Sequence, residues 1–143
     1  MGDAKYHAKL AREKRKRAIN ELDHRRYTTV GVLALRAVEE AVDACASKKK
    51  LHFHSNPKTA RAKRKKWLRE NFPKLTKPFD ELLGAYKYFR SPRHAVGYGR
   101  AAIYLAGWWG FPTREHSVGA TKAGEAMKNI LNALQKKTGI LFK

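Results

Sequence analysis

The chain has 143 residues, about one ordinary domain, and carries 32 Lys and Arg against 12 Asp and Glu, a formal charge of +20 at pH 7. Yet 43% of the residues are hydrophobic, with three Trp, six Tyr and six Phe, which excludes a disordered basic tail too poor in apolar groups to offset chain entropy. The lone Cys45 excludes a disulfide framework and a cysteine-based zinc site. The expectation is one domain over residues 1–143, cytoplasmic and outside the membrane. The two most apolar stretches are broken by Arg36, Glu39, Glu40 and Asp43 in one and by Arg100 in the other, and the basic opening MGDAKYHAKLAREKRKR has no apolar run behind it, so it reads as no secretory signal.

From Ala4 to Leu22, the positions Ala4, Ala8, Ala11, Ala18, Ile19 and Leu22 recur at steps of three and four among Lys and Arg, the pattern of an amphipathic helix. Asp23 to Arg26 interrupt it. A second helix follows from Tyr27, with one face made by Val30, Ala34, Ala37, Val38, Ala41 and Cys45. Its small residues Ala34, Ala37, Ala41 and Ala44 suit the close approach of packed helices, and with only Arg36 basic between Tyr27 and Ala46 it reads as the buried spine.

KKKLHFHSNPK reads as a loop, with Ser55 or Asn56 as an N-cap and Pro57 at the first position of a third helix that Pro73 ends. Thr76, Lys77 and Pro78 restart the helix, with Phe79, Leu82, Leu83, Tyr86 and Phe89 as its stripe until Ser91 and Pro92. Residues 95–112 read as a short helix between irregular ends. Ser117 is placed as the cap of the last helix, whose stripe is Ala123, Ala126, Met127, Ile130, Leu131 and Leu134, with Lys136 and Lys137 in its last turn and Gly139 beyond it. With no strand alternation and no internal repeat, the fold class is all-α: a single-domain antiparallel bundle of four main helices, the third split or kinked.

The positive charge falls in blocks. Lys14, Arg15, Lys16 and Arg17 form one cluster; Arg61, Lys63, Arg64, Lys65, Lys66 and Arg69 form another around Trp67. Charges closer than a Debye length, about 8 Å at physiological salt, repel one another unless a polyanion covers them, so these residues are the candidate contacts to nucleic-acid phosphates. Trp67, and Arg100 among Tyr98, Tyr104, Trp108 and Trp109, add the aromatic and cationic mixture that suits unstacked bases, favouring RNA over DNA. No helix-turn-helix spacing, zinc-finger pattern or heptad zipper argues for major-groove reading. His52 and His54 lack the further ligands of a zinc site, and no phosphate-binding glycine loop occurs, so neither a metal nor a cofactor is expected. In FRSPRHAVGYG, His94 could act as a base toward a 2′-hydroxyl, with Arg90 or Arg93 clamping the phosphate. That is the alternative reading, a metal-independent ribonuclease.

The basic first helix AKYHAKLAREKRKRAINEL, the Ala-rich second helix YTTVGVLALRAVEEAVDA, the segment DELLGAYKYFRSPRHA and the last helix AGEAMKNILNAL together resemble the HEPN superfamily, small bundles of four or five helices in prokaryotic toxin–antitoxin and RNA-processing systems. The resemblance implies an RNA-binding or partner-binding module presented as a homodimer, and a small nucleotidyltransferase as a partner subunit. RNA-cleaving members carry an Arg, a polar residue, four to six further residues and then a His. Here Arg90 and Ser91 fit, but His94 follows too soon, and Arg114 to His116 is shorter still. The reading that results is a non-enzymatic RNA-binding module, with the ribonuclease and a subunit docking on an acidic partner as alternatives.

Overall fold

The computed structural model describes residues 3–90 and 114–143, with side chains for residues 3–86 other than His54 and for residues 117–143. These residues form five α-helices: α1 (Ala4–Asp23), α2 (Tyr27–Ser47), α3 (Pro57–Asn71), α4 (Thr76–Arg90) and α5 (Arg114–Thr138). Two single 3-10 turns, Phe53–Ser55 and Pro73–Leu75, precede α3 and α4. No strand occurs among the described residues. The described residues form an all-helical bundle. The expected short helix within residues 95–112 lies outside the described residues, as do the expected roles of Arg93, His94 and Arg100 and of the Arg90 side chain.

Local chemistry accounts for the boundaries. Asp3 caps α1, its side chain accepting from the Tyr6 N–H at 2.7 Å. Asn56 is the cap of α3, accepting from the Lys58 N–H at 3.2 Å with Pro57 behind it. Helices α1 and α2 both end in the paired hydrogen bonds of a Schellman turn: Arg26 N–H to Glu21 O with Arg25 N–H to Leu22 O, and Leu51 N–H to Ala46 O with Lys50 N–H to Ser47 O. The left-handed residues in those turns are Arg25 (φ 59°) and Lys50 (φ 61°), where glycine is usual. The split third helix of the sequence reading is two helices, α3 and α4, joined through Phe72 and the Pro73–Leu75 turn. Ser117 is not a cap: α5 already begins at Arg114, because Arg114, Glu115 and His116 include no residue that stops a helix from extending toward its N-terminus.

The α1–α2 hairpin, closed by a three-residue connection, is the most extensive packing pair, and α5 lies against α2 and α4. Ala34, Ala37, Ala41 and Ala44 are all fully buried, as the small-residue face of α2 anticipates. One hydrophobic cluster draws on every helix, with Leu35, Leu68, Phe79, Leu82, Met127, Ile130 and Leu134 at its centre. Each such side chain contributes roughly 1.5–3 kcal/mol through burial. At Gly124, α5 comes so near α1 that a Cβ would stand 3.3 Å from Leu22 Cδ2.

The chain does not leave the body at the end of α5. Gly139 takes φ 76° and returns its N–H to Gln135 O at 2.8 Å, turning residues 140–143 back along α1. Phe142 is fully buried in the core. No helix among the described residues is long and apolar enough to cross a membrane.

Candidate nucleic-acid interface

The two basic clusters meet different fates. On α3, Arg61 and Arg64 turn toward α2, Arg64 with its side chain 13% exposed and Arg61 with 40%. The i, i+4 acids Glu39 and Asp43 of α2, 3% and 2% exposed, face the i, i+3 arginines of α3. Arg64 holds Asp43 through two bonds, Nε to Oδ1 at 2.9 Å and an Nη to Oδ2 at 2.8 Å, with a longer contact to Glu39 at 3.5 Å. Arg61 donates to Glu39 at 2.9 and 3.4 Å and lies 4.6 Å from the centre of the Tyr86 ring on α4. The bonds to Glu39 raise Arg61 above its ordinary pKa. Burial works to lower Arg64, but the bonds and charge of Asp43 outweigh it and leave that pKa raised as well.

These pairs are electrically neutral, so the excess of twenty positive charges is carried by other residues. Lys65 reaches Asp80 at 2.9 Å, and Lys66 reaches Glu70 at 4.0 Å, both between exposed groups where an ion pair contributes little. Lys63 and Arg69 are exposed and make no ion pair among the described residues. Trp67 is 7% exposed and packs on Phe72 with ring centres 5.7 Å apart. Its ring faces the core, which leaves little surface for the stacking expected from its basic surroundings. Arg61 and Arg64, expected as phosphate contacts, are engaged in an ion-pair seam with α2, because burying Glu39 and Asp43 requires a cation beside each.

On α1 the cations stay accessible. A groove of about 580 Å³ is lined by Lys9, Arg12, Arg15, Lys16 and Lys143, with Ile19 as apolar floor and Glu13 as the one acid. Lys9, Arg12 and Lys16 follow the i, i+3, i+7 line of one helix face, about 10 Å along the axis. Arg12 donates to Leu141 O at 2.9 Å; Arg15 donates through one terminal nitrogen to Phe142 O at 3.4 Å and Asn132 Oδ1 at 3.5 Å. Burial lowers the Arg15 pKa from its ordinary value. Lys14 is half-buried and Arg17 exposed, and neither lines the groove.

No family model matches the chain, and neither does any curated protein or solved structure. The assignment of a function therefore rests on the arrangement of these side chains.

One further cluster lies between α1 and α2. His7, Glu40 and Asp43 present atoms within 4.8 Å of one another that could ligate a cation. The carboxylates are already engaged: His7 Nδ1 and Glu40 Oε2 are 2.7 Å apart, and Asp43 is held by Arg64. A divalent ion there would compete with both contacts. Sequence reasoning missed this seam, although acids at positions 39, 40 and 43 inside an otherwise Ala- and Val-rich helix were its visible signal. It also missed the Ile140–Lys143 segment, whose signal was the apolar run ILF just past the glycine stop.

Proposed function

We propose that the chain is a non-enzymatic nucleic-acid-binding module, of HEPN-like helical order, that grips the phosphate chain of single-stranded RNA along the exposed face of α1. The observation that supports it is the groove, where five cations face one carboxylate, while the second basic cluster has its two inner arginines neutralised within the fold. A site with this surplus attracts phosphates and releases their condensed counterions, without reading sequence. The preference for RNA rests on the aromatic and cationic composition of the segment around Arg100.

The test is binding of labelled single-stranded and duplex oligonucleotides by fluorescence anisotropy over a range of salt concentrations. Replacing Lys9 and Lys16 together by Ala weakens unrelated sequences alike and lowers the slope of log affinity against log salt by about 0.7 per lost single-strand contact. An unchanged slope, or no binding by the unaltered protein, overturns the reading.

A further inference from the structure

Resting on that reading, we infer that the segment Ile140–Lys143 is a positioning element of the groove. Anchored by Phe142 in the core, it fixes the guanidinium groups of Arg12 and Arg15 so that their remaining donors meet the phosphate chain of a bound nucleic acid.

The segment is held at several points. Thr138 Oγ1 accepts from the Ile140 N–H at 3.2 Å, Gln135 Oε1 accepts from the Phe142 N–H at 2.9 Å, and the Phe142 ring has no exposed surface. Two backbone carbonyls thereby stand at fixed places beside α1. They accept from Arg12 at 2.9 Å and from Arg15 at 3.4 Å. A guanidinium has five N–H donors in one plane. Among the described residues, each arginine uses a single terminal nitrogen for these contacts, which leaves most of its donors for a ligand. Carbonyls are neutral, so they orient the cations without cancelling their charge, unlike Glu39 and Asp43 at Arg61 and Arg64.

A long side chain that is already ordered loses less freedom when a phosphate arrives. Phe142 touches no ligand, so its contribution reaches binding only through the arginines. This is the property to test.

Affinity for a labelled oligouridylate is measured for the full chain, for Phe142→Ala, for the conservative Phe142→Leu, and for each change in a background with Arg12 and Arg15 both replaced by Ala. Thermal melts are recorded for all. Positioning predicts that Phe142→Ala weakens binding about two- to tenfold per arginine released, that Phe142→Leu restores most of the loss, and that Phe142→Ala has no further effect once both arginines are gone. Gln135→Ala frees the segment without opening the core and carries the same comparison if Phe142→Ala melts. Equal weakening in both backgrounds means general loosening and overturns the inference. Unchanged affinity overturns it too, and tighter binding overturns it by making the segment a competitor of phosphate; in these three cases the proposed function stands. No binding by the unaltered chain removes the proposed function and this inference together.

Discussion

Arg64 of α3 holds both carboxylate oxygens of Asp43 on α2, at 2.9 and 2.8 Å, in a seam where the acid is 2% exposed and the arginine side chain 13%. A carboxylate at that depth is tolerated only because a fixed fork of donors meets it. Arg64→Met keeps the bulk of the side chain but leaves Asp43 unpaired. The expected cost is roughly 3–5 kcal/mol, a melting temperature lower by on the order of 10 °C. Lys63→Ala, one residue away and exposed, changes stability by less than about 0.5 kcal/mol. Calorimetry on both variants checks this, and equal melting temperatures contradict it.

The same contrast gives separate expectations for the proposed binding of nucleic acid. Lys63 and Arg69 are exposed without internal carboxylate partners among the described residues, whereas Arg61 and Arg64 are engaged by Glu39 and Asp43. Removing Lys63 and Arg69 is expected to lower the salt slope of nucleic-acid binding only if the ligand extends from α1 across α3. Removing Arg61 is expected to lower stability and leave the slope untouched. Anisotropy titrations at several salt concentrations, paired with melts, separate the two. A slope that falls on Arg61→Ala in a protein that remains folded contradicts the internal assignment.

Two glycines, one within a helix and one just past a helix end, give opposite expectations. Gly84 lies exposed within α4, and a Cβ there meets nothing within 4 Å, so Gly84→Ala is expected to stabilise by about 0.5–1 kcal/mol, or some 2–4 °C. Gly139 has equally open space but φ 76°, a conformation that a Cβ makes costly. Gly139→Ala is expected to destabilise by about 1–2 kcal/mol. It also strains the turn that places the Leu141 and Phe142 carbonyls. Chemical denaturation of the two variants, read at a common m-value, tests the signs.

The helices were legible because periodicity and capping residues act locally: Asn56 with Pro57, Pro73 and Gly139 mark ends that the structure keeps. Ser117 misled because a cap residue specifies a helix start only where the residues before it resist helix, and Arg114 to His116 do not. The interface was less legible. Arg61 and Arg64 look like Lys63 and Lys66 in sequence, and what separates them is the direction each points once α3 lies beside Glu39 and Asp43, a tertiary fact. Trp67 is ambiguous in sequence for the same reason, since a ring among cations can face either way until the core is closed. The groove required the return of Phe142, a long-range contact that no local pattern announces.

Cys45 offers a pH test of the core itself. It is 4% exposed on α2, 4.0 Å from Thr138 Oγ1, and burial, which disfavours the thiolate, raises its pKa to about 11 from 9.0. A folded-state pKa above the unfolded value means that the folded chain keeps the proton longer. The stabilising contribution is therefore fully present below about pH 9 and is lost as the pH rises toward 11, when the unfolded chain has already released its proton. The size is roughly 2–3 kcal/mol. Because the many lysines also titrate in this range, the measurement is the difference in unfolding free energy between the protein and Cys45→Ala, followed from pH 8 to pH 11. That difference is expected to shift against the cysteine-containing chain as pH rises. A difference that stays constant would show that Cys45 titrates as freely in the folded protein as in the unfolded one.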